Sequence, residues 1–394
     1  MKKNIEFLNR ITHYERELVL TKEYLNLDLE KLFKKIDGSY RESLEGEMDY
    51  NLYNGQYPKS FTRSKAIIDY MRKVSGDISR GVHRVYEGAG GIGAWSDGEL
   101  PSAILNDKDF ESHINLIYHM YCFKRAHTKV YKLRNNFIDI LDTETKEDWA
   151  DTKFCEVRVP AKSIYIPLPP KVGVHTKNGS HRTCGVYVNW LSETKGTTIY
   201  KLLFVYFAKK REDVKHESSQ GITIECPDDK TIKWCLDDYI TGTTSVFRED
   251  EGFRRVLEII FKTLLYVGCV GAVIDKKEGI KYNPSPRELK RKLNKLPSSL
   301  DSYVLGGDIK IQPPNESSGN ASGAGGVKRR HYVRGFFNTF WVNYHKGISP
   351  DKILEWGEKW TKNENKVKIR KYYQPHFRGK GIAEIIHKNY SLEG

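Results

Sequence analysis

Ser163-Ile164-Tyr165-Ile166-Pro167-Leu168, Gly185-Val186-Tyr187-Val188-Asn189-Trp190-Leu191 and Thr198-Ile199-Tyr200-Lys201-Leu202-Leu203-Phe204-Val205-Tyr206-Phe207 decide the fold. β-Branched and aromatic residues dominate them, and turn-forming residues separate them. Phe154–Val159, Gly221–Glu225 and Thr231–Leu236 read as further strands of the same run. Short strands in succession with no helix between them predict an antiparallel sheet.

Helical periodicity brackets the run. Phe110, Ile114, Ile117, Tyr118, Tyr121 and Cys122 predict a helix from Phe110 to Leu133, and a long helix is expected from Glu249 to Val267. Residues 3–36 carry Leu8, Ile11, Leu18, Leu25, Leu29, Leu32 and Phe33 at helical spacing, and Thr62–Val74 reads as another helix. Ser285-Pro286 opens a short basic helix, with Pro at its first position. The expected class is α+β: an antiparallel sheet flanked by helices, with a small basic α+β module at the C-terminus.

The clearest boundary is Gln312–Gly326, where Pro gives way to Gly, Ser and Asn without one large apolar side chain. Such a segment cannot bury a core and reads as a linker. The division along the chain is then 1–105, a helical N-terminal region; 106–311, an α+β body; 312–326, the linker; and 327–394, the basic aromatic module.

The chain has 394 residues and a net charge of +14. Residues 327–394 hold fifteen Lys and Arg against six Asp and Glu, so +9 of the excess lies there. Concentrated positive charge points to polyanionic partners. The same stretch carries Phe336, Phe337, Phe340, Trp341, Trp356, Trp360, Tyr372 and Tyr373, a mixture that supplies both core rings and faces for unpaired bases. Trp356 and Trp360, four apart after Ser349-Pro350-Asp351, are expected on a helix and in the core. Arg329-Arg330-His331-Tyr332-Val333-Arg334-Gly335 and Lys371-Tyr372-Tyr373-Gln374-Pro375-His376-Phe377-Arg378-Gly379 echo one another. If they lie on facing strands, Arg330, Arg334 and Arg378 form an anion receptor. The candidate nucleic-acid or anion-binding residues are Arg329, Arg330, His331, Arg334, Arg370, Lys371, His376 and Arg378.

Catalytic signatures are missing: no HExxH, P-loop, nucleophile elbow or cysteine–histidine motif occurs. Glu87-Gly-Ala-Gly-Gly-Ile-Gly93 fits GxGxxG, but the flanking sequence lacks the strand and helix of a dinucleotide site. His175, His181 and Cys184 read as a hairpin loop rather than a zinc site, and Asp237-Asp238 and Glu249-Asp250-Glu251 have no recognisable partners. No catalytic residue, metal or cofactor is assigned, and the reading is of a binding protein more than an enzyme. The six cysteines form no CxxC pair, and the N-terminus lacks a signal-peptide core. Leu257–Ile274 is apolar but contains Glu258 and Lys262, which marks a buried helix rather than a membrane span. The expectation is a cytoplasmic protein with no membrane partner.

Arg330–Gly335, the aromatic run after it and the basic strand ending Tyr373-Gln-Pro-His-Phe-Arg-Gly379 resemble the closing region of a type V-A anti-CRISPR family and its mobile-element relatives. Pro160–Ile166, the helix Phe253–Val270 and the Ser285–Leu289 start fall in the family's order, so the resemblance covers roughly 110–380. It implies a phage or mobile-element regulator that evades host defence. Such a protein recognises the nascent N-terminal peptide of an effector nuclease and lowers its mRNA, with RNA or ribosome as the second partner. The alternatives are a metal-dependent nuclease, built from carboxylates that converge in the fold, and a general nucleic-acid-binding protein of a phage or plasmid.

Overall fold

The computed structural model describes residues 12–25, 28–40, 108–143, 145, 147–157, 160–169, 171–172, 181–191, 196–208, 219–242, 251–280, 298–306, 331–333, 335–344, 348–356, 366–373 and 376–378. The expected helix at 62–74, the helix start at 285–289, the glycine cluster at 87–93 and the linker at 312–326 lie outside them.

The principal sheet has seven strands: β1 (Val130–Leu133), β2 (Ser163–Pro167), β3 (His181–Leu191), β4 (Thr197–Ala208), β5 (Ser219–Pro227), β6 (Ile274–Lys277) and β7 (Ser302–Leu305), in the order β5-β4-β3-β2-β1-β7-β6. Strands β2 to β5 pair antiparallel, as their alternation predicts, while β1 runs parallel to β2 with Val130 opposite Tyr165. The fold is therefore α+β with a mixed, mostly antiparallel sheet. By contacts the chain divides into two compact units: 1–132 with 161–228 and 276–303, and 133–160 with 229–275 and 304–394.

In the first unit, α1 (His13–Leu25), α2 (Leu29–Tyr40) and α3 (Lys108–Arg125) accompany the long strands. Thr12 and Glu15 form a capping box at the start of α1. The Thr12 hydroxyl accepts from the Glu15 amide at 3.3 Å, and the Glu15 carboxylate accepts from the Thr12 amide at 2.9 Å. That carboxylate also takes the hydroxyls of Ser298 and Ser299, at 2.9 and 2.7 Å. Phe123 of α3 meets Tyr165 and Tyr187 edge-on, with centroids 6.2 and 5.5 Å apart. Gly185 on β3 makes room for the Tyr165 ring: a Cβ there would stand 2.1 Å from the Tyr165 hydroxyl.

The second unit holds α4 (Asn135–Thr143), α5 (Ile232–Gly242) and α6 (Glu251–Val267). It also holds a three-stranded antiparallel sheet, β10-β11-β9, of β9 (Phe336–Asn343), β10 (Ile353–Trp356) and β11 (Lys366–Tyr373). A two-stranded ribbon joins β8 (His331–Val333) to β12 (His376–Arg378). Helix α6 is buried along Val256, Leu257, Ile260, Phe261, Leu264 and Leu265. Its Lys262 is also buried and places its ammonium 5.0 Å from the Trp149 ring centroid, a cation–π contact. Among the described residues no helix is long and apolar enough to cross a membrane.

Five local expectations are corrected. The helix expected to run to Leu133 ends at Arg125, and Val130–Leu133 forms strand β1. Phe154–Glu156 is a 3-10 turn rather than a strand, and Thr231–Leu236 caps and begins α5. Ser349-Pro350-Asp351 opens only a 3-10 turn, after which Trp356 ends a strand. His181 and Cys184 stand on β3 rather than in a loop, and the Cys184 thiol donates to the Val205 carbonyl at 3.2 Å.

Candidate nucleic-acid interface

The basic residues of the C-terminal segment fall into two sets. Strand β11 alternates Lys366, Lys368, Arg370 and Tyr372 with Val367, Ile369, Lys371 and Tyr373, so each set shares one face. Val367 and Ile369 lie opposite Val342 and Phe340 of β9 and join Ile353 and Val270 in an apolar cluster. The opposite face receives charge.

Arg370 is 1% exposed, so its guanidinium is not offered to an external anion. It donates to the Glu156 carbonyl at 2.9 Å and to the Glu156 carboxylate at 2.7 Å. Lys368 brings a second cation to the same carboxylate. The Arg370 carbonyl accepts from the Val270 amide at 2.8 Å, so this one residue ties β11 to the 3-10 turn and to the chain beyond α6. Burial lowers the guanidinium's proton affinity and the Glu156 charge opposes that. Burial also pushes the nearby Cys269 thiol up to about 12, against the pull of Arg370 and Lys352. Next along β11, the Tyr372 hydroxyl lies 3.1 Å from that of Thr145, which donates to the Ile140 carbonyl at 2.8 Å. Sequence reasoning missed Glu156, which is 214 residues from Arg370 and has no local signature.

Lys371 is exposed, with its ammonium 5.3 Å from the Tyr373 ring centroid. Tyr373 in turn stacks on Phe336 at 4.8 Å. Trp341 is 47% exposed, whereas Phe337 and Tyr372 are buried against each other, so the aromatics divide between core and surface.

The two echoing segments form the β8–β12 ribbon. Arg378 is the register partner of His331, Phe377 of Tyr332 and His376 of Val333. The backbone thus sets His331 and Arg378 on one rung, with His376 two rungs away beyond the Phe377–Tyr332 pair. Arg329, Arg330 and Arg334 lie outside the described residues. Of the acidic clusters noted in the sequence, Asp237 does have a partner, Arg254 at 2.7 Å. Among the described residues no three His, Cys, Asp or Glu side chains gather closely enough to hold a metal ion.

Residues 131–356, more than half the chain, match the AcrVA2-like family, anti-CRISPR type V subtype A2. The match includes the Arg330–Gly335 segment and stops before Tyr373–Gly379. No curated protein and no solved structure matches the chain. The chain belongs to the AcrVA2-like, anti-CRISPR type V subtype A2 family.

Proposed function

We propose that this anti-CRISPR protein acts in the cytoplasm on the synthesis of a type V-A effector nuclease. It engages the effector's nascent N-terminal peptide while its basic C-terminal segment contacts RNA or the ribosome, and the effector mRNA is lost. Family membership supports the target. The observation that carries the RNA contact is the β8–β12 ribbon, which aligns His331 with Arg378 within the most basic segment of the chain. On this reading Arg329, Arg330, His331, Arg334, Lys371, His376 and Arg378 face the polyanion. Arg370 instead anchors β11, the strand that carries Lys371.

The test is the salt dependence of RNA binding by a variant with Arg330, Arg334 and Arg378 replaced by Ala. Each lost phosphate contact lowers the slope of log K against log salt by roughly 0.7–0.9, so the triple variant should flatten it by about two to three units. An unchanged slope in a folded variant overturns the RNA contact.

A further inference from the structure

We propose that Trp234, with Lys230, Lys233 and Lys153, forms a second contact for single-stranded RNA, in which an unpaired base stacks on the indole. The site is separate from the β8–β12 ribbon and uses none of its residues.

Trp234 lies on the first turn of α5 and is 41% exposed, one of four large apolar side chains open to solvent among the described residues. Its backbone is held firmly. The Trp234 amide donates to the Thr231 hydroxyl at 3.1 Å, and Thr231 forms an antiparallel bridge with Lys153. On either side, the Ile232 amide donates to the Thr152 carbonyl at 2.9 Å and the Phe154 amide to the Lys230 carbonyl at 2.8 Å. The indole therefore stands on a rigid mount.

The Lys230 ammonium sits 5.5 Å from the indole centroid. Lys153, Lys230 and Lys233 are all exposed, and the bridge sets Lys153 opposite Thr231, the residue after Lys230. A surface ammonium on an aromatic face is held more weakly than a stacked base. A base arriving at Trp234 thus displaces Lys230, whose four-carbon stem lets the ammonium move to the adjoining phosphate. Lys233 and Lys153 supply charge for the neighbouring phosphates. Asp151 and Asp229 are exposed in the same stretches, which disfavours a purely electrostatic attraction. Recognition there depends on the stack, so the partner is an unpaired strand: in a duplex the base faces are already occupied.

The experiment measures binding of the full-length protein to fluorescein-labelled oligouridine and to a duplex RNA of equal length. Trp234→Ala should weaken oligouridine binding roughly tenfold, the loss of one base stack, and leave duplex binding unchanged. Trp234→Phe keeps a stacking face and should recover most of the affinity, while urea melts check that both variants fold. Replacing Lys153, Lys230 and Lys233 together by Ala should flatten the salt slope by about two units. Equal oligouridine binding by Trp234→Ala and wild type overturns the proposal, as does equal weakening toward both RNAs or absence of RNA binding by the wild type. Loss in Trp234→Ala with full binding by the Arg330, Arg334 and Arg378 variant supports this site while refuting the ribbon contact; the reverse pattern refutes this site alone.

Discussion

Two antiparallel pairings, β3–β4 in one unit and β9–β11 in the other, bury titratable groups in opposite ways. Along β3 and β4, Val186, Val188, Leu202, Leu203, Phe204 and Val205 are buried, and two histidines that meet β3 are held neutral. His13 is fully enclosed, with Nδ1 3.2 Å from the Tyr187 hydroxyl. Burial, aided by Arg16, lowers its pKa to about 3. His119 accepts from the Asn189 amide at 2.7 Å, and burial, aided by Lys201, lowers its pKa to about 3 as well. Strand β11 instead buries a charged guanidinium and answers it with a carboxylate. A neutral core tolerates loss of a partner at moderate cost, whereas a buried ion left alone does not.

The largest effect is expected where the charge is stranded. Glu156→Ala leaves Arg370 buried without its counter-ion and should cost about 3–5 kcal/mol in urea unfolding. Replacing the pair together, Glu156→Gln with Arg370→Met, should recover most of that loss. If Glu156→Ala costs under about 1 kcal/mol, the ion pair does not hold the sheet.

Acid should act on the neutral core. A histidine whose folded pKa is depressed binds its proton more readily when unfolded, so stability falls as pH drops below about 6.5, by about 1.4 kcal/mol per pH unit for each group. The loss continues toward pH 3, where the folded histidines begin to protonate. Two such groups predict a loss of about 3 kcal/mol between pH 6.5 and 5, and His119→Gln should halve the slope. A flat profile over that range contradicts neutral burial.

Crowding sets the next effect. Gly185→Ala drives a methyl into the Tyr165 ring and should cost about 1–3 kcal/mol, with Tyr165→Phe relieving part of the clash. The smallest change is Lys371→Ala. It removes an exposed ammonium from the Tyr373 face and should cost at most about 1 kcal/mol while weakening RNA binding.

What was legible in the sequence follows the same divide. Strands β2 to β5 and helix α6 were evident because long apolar or alternating runs leave little choice of structure. The turn at Phe154 and helix α5 were misread as strands, since a short apolar run such as Ile232–Leu236 does not by itself distinguish the two. Strand β10 defeated a local helix signal because Ile353 pairs with Ile369 on β11 and packs in its cluster. At the candidate interface, the echo between the His/Arg segments anticipated the β8–β12 pairing. The burial of Arg370 was invisible, because its counter-ion comes from a distant turn whose own conformation was not foreseen. Trp234 was hidden for the related reason that its segment had been assigned to the wrong element.

The proposed action on effector synthesis through the nascent peptide makes a prediction about mRNA. The direct measurement follows effector mRNA in translating extract with two transcripts, one encoding the native N-terminal peptide and one frame-shifted over the same nucleotides and then restored. Loss of only the transcript that makes the native peptide, abolished when elongation is blocked before the peptide emerges, is the predicted result. Equal loss of both transcripts, or loss of neither, contradicts it.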